Sequence, residues 1–202
     1  EHYTKYSDKY DEIHKTLGYN EPHHVVKCLL NYNFEKSIEI CDFGCGTGTA
    51  GVELKQVGEF QNIYGLDGSE GMVEQCKKLG VYKEVAVNKV GTDPFPDGYE
   101  GKFDVAVVCG CYYFGHFPKE ATRAILKTLK PHGYYFFSIR DNIEVEESLG
   151  YGKDFSDLKN EGLIEELERI PFVKWQGLKP SENEPQTYFE TPSHVVVFRK
   201  LN

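Results

Sequence analysis

The sequence lacks several features that would fix its class at once. It has no run of about 18 apolar residues, so no segment reads as a membrane span. It has no C-x-x-C pair, no internal repeat and no low-complexity tract. Positive charge is scarce: 23 Lys and Arg against 32 Asp and Glu leave a net charge of −9. A broad nucleic-acid surface neutralises phosphates with Lys and Arg, so this balance disfavours one. The six cysteines fall at 28, 41, 45, 76, 109 and 111, several inside apolar runs. They read as reduced core thiols rather than disulfides or zinc ligands, which predicts an intracellular, cytoplasmic setting. His23 and His24 are adjacent and have no Cys or carboxylate partner at metal-ligand spacing, so no metal site is expected. The chain begins at Glu1 rather than Met, and a boundary or processing event is expected upstream.

What is present is an alternation of strands and helices. A chain of 202 residues with 40% hydrophobic content suits one domain with a sizeable core. Residues 1–35 read as an N-terminal extension of cap helices and 36–202 as the core. Strands are expected at 38–43, 62–67, 83–90, 102–110, 133–140, 172–179 and 194–200. Helices are expected at 49–58, 69–80, 118–130 and 155–170, with Ser69 as N-cap of the second. Strands separated by helices of 10 to 15 residues imply a parallel sheet covered on both faces. The last two strands have no helix between them and predict an antiparallel hairpin at the sheet edge. The expectation is an α/β, Rossmann-like, doubly wound, mostly parallel seven-stranded sheet ending in that hairpin.

The stretch "ICDFGCGTGTAG" (40–51) carries the chemistry and admits two frames. Gly46, Gly48 and Gly51 satisfy the dinucleotide pattern G-x-G-x-x-G. Asp42, Gly44, Gly46 and Gly48 satisfy D-x-G-x-G-x-G, the nucleotide loop of methyl donors. The first frame places Phe43-Gly44-Cys45 between strand end and turn and lengthens the loop. The second puts Asp42 at the end of the strand, where its carboxylate can hold a backbone N–H or a ligand amine. Asp67 ends the next strand and suits a charge-assisted grip on ribose hydroxyls, which either nucleotide type needs. The ordered set D-F-G-C-G-T-G, then L-D-G-S-x-x-M, then a terminal hairpin selects the methyl-donor frame.

With those motifs the chain resembles the class I methyltransferases that use S-adenosylmethionine, from about residue 6 to 200. It looks closest to the methyltransferase-like proteins of the Williams–Beuren syndrome region. "YSDKYDEIHKTLGYNEP", "LDGSEGMVEQCKKLGVY", "FDVAVVCG…GHFP" and "LKPHGYYFFSIRDN" carry that closer likeness. The resemblance implies S-adenosylmethionine as cofactor. Main-chain groups of Gly44, Cys45 and Gly46 would meet its methionine part, with Asp42 supporting the loop. Asp67 would hold the ribose, and Gly68, Ser69 and Met72 would border the adenosine. The acid that such proteins commonly carry after the third strand is missing from Val87-Asn88-Lys89-Val90-Gly91. Asn88, or main-chain groups there, would take over adenine recognition. Cys109 and Gly110 would flank the methionine part and the methyl group.

Candidate reactive groups follow from what methyl transfer needs. Displacement at a sulfonium is chiefly a problem of alignment, so no catalytic triad is required. Tyr10 either meets the donor cation with its ring or packs on the surface. His116 either takes a proton from a hydroxyl or amine acceptor or is a loop histidine bonded to main chain. Arg140 and Asn142 either bind an acceptor carboxylate or phosphate or pair with local acids. Tyr19 either lines the pocket or packs in the core. Cys45 reads as a main-chain contributor rather than a nucleophile. "DPFP" (93–96) precedes the fourth strand, unlike the D/N-P-P-Y/F of DNA amino-methylases, and no Pro-Cys nucleophile is present. The expected function is methyl transfer to a small molecule or protein, without membrane or nucleic-acid partner, by a monomer. The rivals are a catalytically silent donor-binding subunit acting through a partner protein, an aminopropyl transferase and a nicotinamide oxidoreductase.

Overall fold

The computed structural model describes residues 19–178 and 188–202. Seven strands form a sheet in the order β3-β2-β1-β4-β5-β7-β6. They are β1 (Glu39–Phe43), β2 (Asn62–Asp67), β3 (Glu84–Val87), β4 (Phe103–Val108), β5 (Leu129–Arg140), β6 (Ile164–Leu178) and β7 (Tyr188–Lys200). The pairings β1–β2, β1–β4, β2–β3 and β4–β5 are parallel, whereas β7 runs antiparallel to both β5 and β6. The expected parallel sheet with a terminal hairpin is therefore the observed one. The strand order reverses between β1 and β4, and a crevice opens beyond the carboxyl ends of strands at such a point.

Among the described residues six helices cover the sheet: α1 (Glu21–Leu30), α2 (Thr49–Gln56), α3 (Glu70–Lys78), α4 (Ala121–Thr128), α5 (Asp141–Glu144) and α6 (Tyr151–Asn160). β1 and β4 are buried nearly throughout because helices cover both of their faces. Val25 and Leu29 of α1 and Leu54 of α2 pack with Ile40, Val105, Val107 and Phe136 on one side. Ile125 of α4 and Phe155 of α6 pack with Phe43, Phe103 and Phe137 on the other. All six cysteines are free. Among the described residues no helix is long and apolar enough to cross a membrane.

The structure corrects one assignment. Residues 155–170 do not form a single helix: α6 stops at Asn160 and β6 begins at Ile164. Gly162 adopts φ +69°, donates to Lys159 O, and is followed by the Leu163 N–H on Leu158 O. This left-handed close is an efficient helix stop that glycine accepts without Cβ strain. "IEELER" has high helix propensity, yet its ladder with β7 (Ile164 opposite Lys200, Glu166 opposite Phe198) outweighs it. Boundaries elsewhere move by a few residues. β3 ends at Val87 rather than at 90, α4 spans Ala121–Thr128, and β5 already starts at Leu129.

Candidate active site

The glycine loop is built by main-chain bonds to the neighbouring strand. Gly44 N and Cys45 N both donate to Leu66 O, at 2.7 and 3.0 Å. Gly46 N then donates to Asp67 Oδ2 and Ser69 N to Asp67 Oδ1, each at 2.9 Å. One carboxylate thus fastens the loop after β1 to the start of α3. Burial raises the Asp67 pKa above the ordinary carboxylate value, and the two N–H bonds work against that shift. Ser69 caps α3, its hydroxyl accepting from Met72 N. Gly44 sits at φ +73°, and a Cβ there would meet Cys111 Sγ at 2.2 Å. Both the backbone angle and the close approach demand glycine.

Asp42 is almost wholly buried under this loop and does not face the cleft. Its Oδ2 accepts from the Tyr82 hydroxyl at 2.8 Å, and that hydroxyl accepts from Gly51 N at 3.1 Å. The support expected of Asp42 therefore passes through Tyr82 to the first turn of α2. Burial pushes the Asp42 carboxyl up to about 7; the Tyr82 bond opposes this and the Asp67 charge adds to it. Cys45 turns its thiol away from the cleft toward α3, 3.7 Å from Cys76 Sγ. The bond to Cys76 and burial raise its pKa well above the usual thiol range, so it stays a thiol.

A cavity of about 330 Å³ opens over the loop. Of the residues singled out in the sequence, Gly44, Gly46, Asp67, Gly68, Ser69 and Met72 line it from β1, β2 and α3. Asn88, Lys89 and Val90 line it after β3, and Cys109, Gly110 and His116 after β4. Asn88 is buried, and its Nδ2 donates to Pro94 O at 2.9 Å, which leaves Oδ1 with no partner among the described residues. A buried, unsatisfied acceptor beside a ligand cavity is a place where a ligand N–H would fit.

Tyr19, Arg140 and Asn142 stand outside this ring. Gly110 N donates to Ser138 Oγ at 3.0 Å. A Cβ on Gly110 would meet Glu21 Oε2 at 2.6 Å and the Tyr19 hydroxyl at 2.7 Å, so both side chains abut the cleft wall without lining it. Arg140 closes β5 with its guanidinium 4.6 Å from the centre of the Tyr113 ring. Asn142 is exposed on α5. Tyr10 lies outside the described residues.

Sequence reasoning missed Thr92, Cys111, Phe117, Pro118 and Tyr82. The post-β4 run "CGCYYFGHFP" offered a signal, because a loop that dense in aromatics must bury them against something. Tyr82 gave none, as only the β2–β3 pairing brings it under Asp42. Cys111 Sγ lies 3.6 Å from Gly44 O and packs the post-β4 loop onto the glycine loop.

Comparison with known proteins agrees with this geometry. Residues 41–137 match the methyltransferase domain family. The chain is 31% identical over 181 residues to human methyltransferase-like protein 27, covering 87% of this chain and 67% of that one. A chain from the complex between the Haloferax volcanii Trm112 methyltransferase activator and its methyltransferase superposes with TM-score 0.73 at 16% identity, covering 99% of this chain and 98% of that one. A TehB-like, S-adenosylmethionine-dependent methyltransferase from Corynebacterium glutamicum gives TM-score 0.65 at 17% identity, over 97% and 98% of the two chains.

Proposed function

Because the chain belongs to the class I, S-adenosylmethionine-dependent methyltransferases, we propose that it transfers the methyl group to a small molecule or protein side chain entering at the C-terminal edge of the sheet. One observation carries the donor site: Asp67, braced by Gly46 N and Ser69 N, stands at the tip of β2 on the cavity wall. Its carboxylate is ready to take the two ribose hydroxyls. The free Asn88 Oδ1 fits the adenine amino group, in place of the acid missing after β3. Gly44 and Gly46, on either side of Cys45, present main chain to the methionine part, and Cys109 and Gly110 close the far wall.

When bound, the donor supplies a methyl on a positively charged sulfur that departs as a neutral thioether once the acceptor's lone pair attacks in line. The protein's own part is alignment, worth roughly 7–11 kcal/mol in ideal cases. His116 lines the cavity on its exposed side and is placed to receive the proton that a hydroxyl or amine acceptor gives up.

Calorimetry with S-adenosylmethionine and with its demethylated product tests the donor site, and a heat of binding for both is expected. Absence of any heat sinks the reading. Labelled methyl then separates a working enzyme from a silent donor-binding subunit, since the latter binds and yields no labelled product.

A further inference from the structure

The sequence contains four arginines. Three are neutralised by carboxylates. Arg123 pairs with Asp154 and Glu161, Arg169 with Glu144 and Glu166, and Arg199 with Glu165. Arg140 has no ion pair and no side-chain hydrogen bond among the described residues. The acid beside it is already engaged, because Asp141 Oδ1 lies 2.7 Å from His194 Nδ1. In a chain of net charge −9 an uncompensated guanidinium is out of keeping with its surroundings.

Its place connects it to the cavity by two routes. Along the strand, Arg140 lies two residues beyond Ser138, whose Oγ accepts from Gly110 N of the cavity wall. Across the rim, its Cζ is 4.6 Å from the Tyr113 ring centre. That ring meets the His116 ring edge-on at 5.8 Å, and His116 lines the cavity. At that distance the electron-rich face of Tyr113 attracts the guanidinium. No described residue takes its N–H donors, and a guanidinium fork matches a planar carboxylate in two parallel bonds.

We propose that the methyl acceptor is a small organic acid whose carboxylate pairs with Arg140. This rests on the methyl-transfer reading above and names its substrate class. One guanidinium balances one negative charge, which favours a carboxylate over a phosphate dianion. The carboxylate is the anchor, not the methylated atom, because Arg140 stands outside the cavity assigned to the donor. The nucleophile is a second group on the same molecule. It uses its lone pair to bond the methyl carbon as the carbon–sulfur bond breaks toward sulfur, and it passes its proton, where it carries one, to His116 or to water.

The test uses the purified chain, S-adenosylmethionine labelled in the methyl group and a deproteinised small-molecule extract. Labelled product is expected to be retained on an anion exchanger at neutral pH, before and after phosphatase treatment. With that acid as substrate, Arg140→Gln should raise KM tenfold or more, leave the calorimetric donor affinity unchanged and change kcat far less. Arg140→Lys should fall between the two. Four outcomes overturn the proposal: label in neutral, cationic or phosphatase-sensitive compounds, label only in protein, unchanged KM in Arg140→Gln, or no labelled acid from a protein that binds the donor. A chain that fails to bind the donor overturns the preceding reading instead, so the two failures are distinguishable.

Discussion

The Tyr82 hydroxyl donates to Asp42 Oδ2 at 2.8 Å while accepting Gly51 N–H at 3.1 Å. A residue from the loop before β3 thereby ties a buried carboxylate at the end of β1 to the first turn of α2. The glycine loop lies between these two points, so its shape depends on a side chain that is remote in sequence from both.

Removing that hydroxyl should loosen the loop. Tyr82→Phe keeps the ring but leaves a buried acceptor and a buried N–H without their partner, at a cost of about 1–3 kcal/mol. The loss should be larger at pH 8 than at pH 6, because the ionised carboxylate needs the donor more than the neutral acid does. Urea denaturation at both pH values checks it, and equal losses would contradict the assignment.

Asp42 should also impart a pH dependence to stability. Its folded-state pKa is raised, by burial first, to about 7, whereas an unfolded Asp titrates near 3.9. The folded state therefore holds the proton over a window in which the unfolded chain has released it. Stability from this group is full below about pH 4 and falls as pH rises toward and through 7. Asp42→Asn, which keeps an acceptor for Tyr82 and carries no charge, should flatten this slope and melt higher than wild type at pH 8. Thermal scans from pH 5 to 8 measure it; parallel profiles for the two proteins would count against a titrating Asp42.

Asp67 should set donor affinity. Asp67→Asn removes the charge and turns an amide NH2 toward Gly46 N–H or Ser69 N–H, where both native contacts need an acceptor. Two weakened charge-assisted bonds correspond to about a 10- to 100-fold loss of affinity. Calorimetry with the donor, alongside a circular-dichroism check of the fold, reads this directly.

Gly44 and Cys111 should behave as a coupled pair. Gly44→Ala forces a Cβ to 2.2 Å from Cys111 Sγ and places a non-glycine residue at φ +73°. The left-handed conformation alone costs about 1–2 kcal/mol. Adding Cys111→Ala relieves the clash and leaves the backbone strain. The double variant should therefore recover about 1 kcal/mol or more beyond additivity in a denaturation cycle.

The order of elements and the glycine loop were legible in the sequence because each is a local property. Apolar runs of strand length, helices between them and glycines behind β1 report periodicity and backbone freedom without reference to the rest of the chain. Asp67 and Ser69 were legible for the same reason: an acid at a strand end and a serine at a helix start act on groups within a few residues or on the adjacent loop. Tertiary structure alone decided the rest. It turned 164–170 into a strand, since β7 supplies a hydrogen-bond ladder that outweighs helix propensity, and it placed Tyr82 beneath Asp42 through the pairing of β2 with β3. Among the described residues it also left Arg140 without an ion pair while bringing Arg123, Arg169 and Arg199 to carboxylates on other elements. Whether a charge finds a partner depends on what folding brings near it, and no spacing in the sequence encodes that.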